Sequence, residues 1–216
     1  MQKFIFIIIG QKSTRKGNMK KITSFILGFL IATPALANDT YAGLRIHKNE
    51  SLALKYDAID IESFKLRKDN FGIGAVVGNR LSDNVKIEFE TSYTGMKEAH
   101  RTTALDFDIW ANMFNVYLFQ EFDGAIAPYA GMGIGFAAVW GNVNAPYVNI
   151  SDSVFDLSFQ VMLGVNFALN DKVDLNLGVK YQYYGEVEFK KNGAEFATTD
   201  VDGTEFYFGA VYKFSM

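Results

Sequence analysis

Beyond residue 38 the chain alternates between apolar and polar positions with a period of two. In residues 85–93 the odd positions are Val, Ile, Phe, Thr and Tyr, and the even positions are Lys, Glu, Glu and Ser. Residues 204–214 repeat the pattern, with Phe206, Phe208 and Tyr212 on one face and Glu205 and Lys213 on the other. Such alternation is typical of a β-strand whose two faces meet different surroundings. We find no apolar stripe of helical period here, so the sequence predicts an all-β protein.

Eight segments with this pattern follow one another. Their connections alternate between short turns, at 80–84, 121–126 and 168–172, and longer polar stretches, at about 48–69, 95–106, 138–153 and 185–203. An even number of strands with short turns on one side and long loops on the other is typical of a bacterial outer-membrane barrel. The predicted strands are 41–47, 71–79, 85–93, 107–119, 128–136, 155–167, 173–183 and 204–214.

The fourth segment is the least regular. The alternation that puts Phe114, Val116 and Leu118 on the outer face also puts Asn112 and Asp108 there. We expect either a β-bulge near Asn112 or an upper half that stands above the lipid.

The fold class predicted is a single eight-stranded antiparallel transmembrane β-barrel, an up-and-down meander. Bulky residues collect on one face of nearly every strand and glycines on the other, which suits a narrow crowded lumen with lipid outside. A soluble lipocalin-like barrel in the periplasm, with the apolar face inward, is the alternative. Aromatic residues fall at strand ends, as interface girdles require: on the short-turn side Tyr41, Phe119, Phe122, Phe167 and Phe214, and on the long-loop side Phe71, Tyr93, Trp110, Trp140, Tyr183 and Phe206.

The N-terminal segment has the features of an export signal. Met19, Lys20 and Lys21 form a basic start, residues 22–33 are apolar, and Ala35-Leu36-Ala37 is a small-x-small cleavage site. The apolar run is shorter than the roughly 20 residues that a spanning helix needs. We therefore expect residues 1–37 to be an N-terminal extension and cleaved signal peptide, with Met19 a candidate initiator, and residues 38–216 to be the barrel domain.

Removing residues 1–37 changes the charge. It takes away six of the 21 basic residues and none of the 24 acidic ones, which leaves 179 residues with a formal charge of −9. This charge gives no basic footprint for nucleic acid. The chain has no cysteine, so it holds no disulfide framework and no thiolate metal site.

The chain resembles the opacity-protein and OmpA-type eight-stranded outer-membrane surface barrels. The resemblance rests on Tyr41-Ala-Gly-Leu-Arg-Ile46 after the signal, on the strand from Pro128 to Phe136, and on the ending Tyr212-Lys-Phe214. It implies a Gram-negative outer membrane, contact with its lipids and lipopolysaccharide, and an ending similar to the signal that the outer-membrane assembly machinery recognises.

Two patterns that suggest chemistry are better explained by structure. Gly131, Gly133 and Gly135 alternate within a strand, whereas a phosphate cradle needs its glycines in a strand-to-helix turn. His47 and His100 are interpreted as solvated loop histidines; Glu50 and Ser51 lie near His47 in sequence, but nothing fixes their geometry. We therefore predict no catalytic, cofactor-binding or metal-binding residues.

Charged residues on the glycine-bearing face form the most informative polar set. A lumen of eight strands is about filled by its own side chains, and unpaired buried charges are costly, so these residues are expected to pair into an ionic plug rather than line a pore. Lys180 and Glu205 are predicted to share one network, and Arg45, Glu88 and Glu90 a second, linked across Gly72 and Gly74. The full set is Arg45, Lys86, Glu88, Glu90, Asp174, Lys180, Glu205 and Lys213.

Three functions remain open from the sequence. The first is a non-enzymatic surface protein that supports membrane integrity and displays four mobile loops, through which it binds a host or neighbouring-cell ligand. One of these loops carries the hairpin signal Asn192-Gly193. The second is a small passive porin-like channel, and the third an enzyme that modifies lipid A.

Overall fold

The computed structural model describes residues 39–56, 64–66, 70–100, 103–122, 125–145, 148–191 and 194–214. The predicted signal segment lies outside these residues. The described residues form nine strands: β1 (Thr40–Tyr56), β2 (Phe64–Leu66), β3 (Asn70–Arg80), β4 (Val85–His100), β5 (Thr103–Phe119), β6 (Ile126–Ala145), β7 (Val148–Ala168), β8 (Val173–Lys191) and β9 (Ala194–Lys213).

No helix among these described residues is long and apolar enough to cross a membrane.

Eight of the strands close into a barrel. Each strand from β3 to β8 pairs antiparallel with the next, and β1 pairs on one side with β3 and on the other with β9. Leu44, for example, lies opposite Ala75 in β3 and opposite Ala210 in β9. The short β2 is added to the upper part of β1. The eight-stranded up-and-down barrel predicted from the sequence is therefore confirmed.

The assignment of faces is confirmed as well. Leu44 is 69% exposed and Phe208 is 46% exposed, whereas Arg45 is 4% exposed and Glu205 is 1% exposed. At these levels of the barrel, apolar side chains thus cover the outside and charged side chains line the inside, the reverse of a soluble barrel. This arrangement excludes the lipocalin-like alternative.

The strands continue well past the length needed to cross a membrane. A strand tilted by about 45° crosses the hydrocarbon in roughly 9–11 residues, but β5 to β9 contain 17 to 21 residues each. Pairing reaches His100↔Thr103, Ala145↔Val148 and Lys191↔Ala194. Three of the long connections predicted as loops are therefore mostly regular β-hairpins, and the hairpin expected around Asn192-Gly193 is confirmed by the pair that flanks it.

The irregular fourth segment is explained by a change of polarity, not by a bulge. The register of β5 with β4 and with β6 is continuous through Asn112, so the first of the two expected explanations, a bulge, is wrong. Above this point Phe107 and Ile109 point inward and are 2% exposed, while Asp108 is on the outer side. The upper part of the barrel is thus apolar inside and polar outside, as expected for a region that stands in water above the lipid.

An aromatic belt marks the boundary between the two regions. On the upper side Phe71, Tyr93, Trp140 and Phe206 are 39–66% exposed. Tyr93 donates a hydrogen bond of 2.5 Å to Asp108 just above it, a contact suited to a ring between lipid and water.

The predicted lower girdle is correct only in part. Phe122, Phe167 and Phe214 are exposed as expected, but Tyr41 and Phe119 are 7% and 8% exposed and face the lumen. Their place in the girdle is therefore a wrong prediction.

Candidate functional site

The barrel interior is the candidate site, because the buried polar groups converge there. Its centre holds six ionisable side chains, which we call the lumenal network: Arg45, His47, Glu88, Glu90, Lys180 and Glu205, each 1–4% exposed. Inward positions on β1, β4, β8 and β9 supply them. A buried charge is tolerated only when it is paired and hydrogen-bonded, so the contacts within this set decide whether the lumen is stable.

Arg45 organises the lower half of the lumenal network. Its two terminal nitrogens contact both carboxylate oxygens of Glu88, at 2.7 and 3.0 Å, in a bidentate pair. Nη1 also lies 2.9 Å from Glu90, and Nε donates to the Asn176 side-chain oxygen at 3.2 Å. The guanidinium therefore meets acceptors on β4 and β8 and ties strands on opposite sides of the lumen.

Lys180 organises the upper half. Its Nζ lies 3.2 Å from Glu205 and 3.4 Å from Glu90. The pairing of Lys180 with Glu205 is confirmed, as is that of Arg45 with Glu88 and Glu90. Since Glu90 contacts both Arg45 and Lys180, the two predicted clusters form one continuous network.

His47 belongs to the same network. It is 1% exposed, with Nε2 3.5 Å from Glu90 and Nδ1 3.3 Å from Glu205. The interpretation of His47 as a solvated loop histidine is therefore wrong. The signal was present in the sequence, since His47 shares the inward phase of Arg45 on β1. The side chains of Glu50, Ser51 and His100 lie outside the described residues.

A packed apolar layer lies above the network. Eight side chains from β5, β6, β8 and β9 form this upper core, each 0–3% exposed. Tyr184 links the two layers, because its hydroxyl donates a hydrogen bond to Glu205. The members of the upper core are Phe107, Ile109, Ala111, Met113, Ala137, Val139, Tyr184 and Val201.

Tyrosines fill the lumen below the network. Tyr117 donates to Glu88 at 2.8 Å, and the hydroxyls of Tyr129 and Tyr207 lie 2.5 Å apart. Glycines on neighbouring strands make room for these rings: a Cβ on Gly131 would collide with Tyr117. Gly131 and Gly133 thus face lumenal side chains from within β6, the structural role predicted for them, whereas Gly135 lies against the backbone of Asn112 on β5.

The wall between β7 and β8 is incomplete above the aromatic belt. Their backbone pairing ends at Phe159↔Tyr183, whereas each strand continues upward with its other neighbour. At this seam, the unpaired stretch between β7 and β8, side chains make hydrogen bonds in place of the backbone pairing. The Asp156 carboxylate accepts the Glu186 amide at 3.1 Å and the Leu157 amide at 2.7 Å. Gly185 has a positive φ of 110° and lies against Asp156.

These features define an outer-membrane barrel whose inward side chains form a buried polar network. Comparison with known proteins shows to which family the chain belongs. The model of the outer membrane protein β-barrel domain matches residues 23–214, and the chain belongs to this family. It lies in the outer membrane of a Gram-negative bacterium. A comparison with curated proteins gives no match.

Two solved structures share the fold at low sequence identity. Neisserial surface protein A is 18% identical with a TM-score of 0.55; the alignment covers 81% of this chain and 96% of that one. Ail, the attachment invasion locus protein of Yersinia pestis, solved in complex with the heparin analogue sucrose octasulfate, is 14% identical with a TM-score of 0.50, covering 81% and 99%. At these identities the similarity supports the fold alone.

Proposed function

We propose that this protein is a non-enzymatic surface barrel that holds rigid β-hairpins above the outer membrane for contact with another surface. The observation that carries the proposal is the regular strand pairing above the aromatic belt, together with the upper core that these paired strands enclose. A scaffold that orders its own extracellular hairpins presents a binding surface at a lower entropic cost than mobile loops do. Binding residues commonly lie on such elements above a rigid scaffold.

A host or neighbouring-cell ligand is the partner we propose. The Ail structure, which contains a heparin analogue, makes sulfated glycans one class to test. The described outer face near the belt is instead acidic, with Asp108, Glu186, Asp200 and Asp202 on it. We therefore expect a cationic protein surface to bind this chain better than heparin does.

Hairpin shortening tests the display function. Because Glu186 lies opposite Asp200, residues 187–199 can be replaced by Asn-Gly without a change of register. Gly141 and Asp152 allow the same change in the β6–β7 hairpin. We expect at least one shortened barrel to fold normally and lose adherence when expressed in a non-adherent Gram-negative host. Full adherence of both variants would contradict the proposal.

We also propose that the lumen is closed to solutes. The lumenal network and the upper core fill successive cross-sections with side chains that are almost inaccessible to solvent. Moving an ion through an apolar layer requires desolvation that no lining group offsets. Planar-bilayer recordings of the purified protein should show no steady conductance. Steady openings in most insertions would instead support the passive channel.

The lipid A enzyme is the least supported function. His47 is enclosed by Glu90 and Glu205 in the lumen and does not lie at the outer rim, where a lipid substrate would reach it. We expect the same lipid A acylation pattern, by mass spectrometry, with and without the protein.

A further inference from the structure

Lys86 occupies an unusual position at the lower end of the lumen. It is the second residue of β4, points inward and is 9% exposed. Four aromatic rings surround its ammonium group, and we call them the aromatic cage: the ring centroids of Tyr117, Tyr129, Tyr41 and Phe119 lie 4.8, 5.0, 5.7 and 6.0 Å from Nζ. Ring faces attract a cation, but they do not replace the oxygen acceptors that its three N–H groups lose on leaving water.

The nearest carboxylates are already committed to other donors. Glu88 accepts two bonds from Arg45 and one each from Tyr41 and Tyr117. Asp174 lies 2.8 Å from Lys213. Within the described residues, no carboxylate oxygen lies within 4.0 Å of Lys86 Nζ.

A cavity of about 400 Å³ opens beside Lys86 at the short-turn end of the barrel. Four cationic side chains line it. Three have a carboxylate partner: Arg45 pairs with Glu88, Arg80 with Glu121 at 2.7 Å, and Lys213 with Asp174. Lys86 is the cation of this set that has none. A buried ammonium at the wall of an accessible cavity needs acceptors that enter from the periplasm, and an anion supplies both acceptor oxygens and the missing countercharge.

The other residues that line the cavity favour some anions over others. Asp39 and Asp171 also line the cavity, and their negative charge disfavours multiply charged anions such as phosphate. Phe119, Ile126 and Val211 provide apolar wall. The combination of one unpaired cation with apolar surface fits a carboxylate attached to a short aliphatic body.

We propose that this periplasmic cavity binds a small organic monocarboxylate, with the carboxylate on Lys86 Nζ and the aliphatic part against the apolar wall. The site lies at the opposite end of the barrel from the hairpins, so it is independent of the proposed surface function.

The test is an NMR titration of the full mature barrel in detergent micelles, with ¹³C-labelled tyrosine as the reporter. The rings of Tyr41 and Tyr129 line the cage, while Tyr212 is 44% exposed on the lipid face and reports any partitioning of ligand into the micelle. Acetate, butyrate, phosphate and chloride are compared at constant ionic strength. We expect saturable shifts of the cage rings, stronger with butyrate than with acetate, and little change with phosphate or chloride.

Substitutions at two lysines assign the site. Lys86→Met should weaken butyrate binding by about tenfold or more, since it removes the unpaired charge, and Lys86→Arg should retain binding. Lys213→Met is the matched control, because that lysine lines the same cavity but is paired with Asp174; binding should persist. Folding of each variant is checked by the heat-dependent shift of the barrel on gels.

Three results would overturn the proposal. They are the absence of any saturable carboxylate shift, equal shifts with chloride or phosphate, and unchanged butyrate affinity in a folded Lys86→Met barrel.

Discussion

Lys180 and Glu205 lie directly opposite each other on β8 and β9, with the lysine Nζ 3.2 Å from the carboxylate inside the lumen. Each of the two groups has further partners. Lys180 also reaches Glu90, and Glu205 also meets His47 and Tyr184. The pair is therefore the meeting point of four strands, β1, β4, β8 and β9. Its energetic coupling measures how far the lumenal network acts as one unit.

A double-mutant cycle on this pair is the first prediction. Lys180→Met should cost about 3–5 kcal/mol of unfolding free energy, because Glu205 is left buried with fewer donors. Glu205→Gln should cost less, since Lys180 keeps Glu90. The double mutant should lose less than the sum of the two single losses. Urea unfolding in lipid vesicles measures all three variants. Additive losses would mean that the lumen is hydrated and the pair uncoupled.

The second prediction tests the lipid-facing side of β9. Phe208 is outward and 46% exposed in the apolar zone, so Phe208→Arg should cost about 2–4 kcal/mol by vesicle unfolding. Asp202→Arg is the matched control: it lies on the same face of β9, but above the belt, opposite Tyr183. Its cost should be within about 1 kcal/mol of zero. Equal costs at the two positions would contradict the placement of the membrane boundary.

Strand phase accounts for most of what the sequence predicted correctly. The alternation in β4 fixes Glu88 and Glu90 as inward, and the two-residue period does the same for Lys180 and Glu205. A position at a strand end does not fix the face of the barrel, however. The girdle prediction for Tyr41 and Phe119 rests on such positions, yet each residue lies on the inward phase and packs near Lys86.

The upper barrel shows a second limit. The predicted strands end where the apolar alternation of the outer face gives way to polar residues. Above the belt the apolar residues are inside, at Ile109 and Val139, and pairing continues there around the upper core. The wrong prediction for His47 has the same origin, because the predicted first strand ends at residue 47, whereas β1 continues to Tyr56.

The third prediction concerns the upper core. Ile109 is 2% exposed within it, so Ile109→Ala should leave a cavity and cost about 2–4 kcal/mol. Ile134 on β6 is 51% exposed to lipid. Ile134→Ala should cost less than about 1.5 kcal/mol, because lipid chains occupy the vacated space. Equal costs in vesicle unfolding would mean that the upper region is not packed as a core.

The seam between β7 and β8 gives the fourth prediction. Asp156 caps the amides of Leu157 and Glu186 where the backbone ladder has ended. Asp156→Ala should accelerate hydrogen exchange at those two amides. Val161, which lies opposite Tyr181 within the paired region, supplies the reference amide and should be unchanged. Unchanged exchange at Glu186 would show that other groups protect the seam.

The fifth prediction concerns maturation. The small residues Ala35 and Ala37 bound the expected cleavage site, so the protein extracted from outer membranes should begin at Asn38. Strand β1 begins at Thr40, so cleavage after Ala37 would leave the strand intact. Ala37→Arg should retain the precursor mass, whereas Ala42→Ser, beyond the site, should not. N-terminal sequencing and intact mass decide the point, and a mature protein that retains residues 19–37 would contradict cleavage.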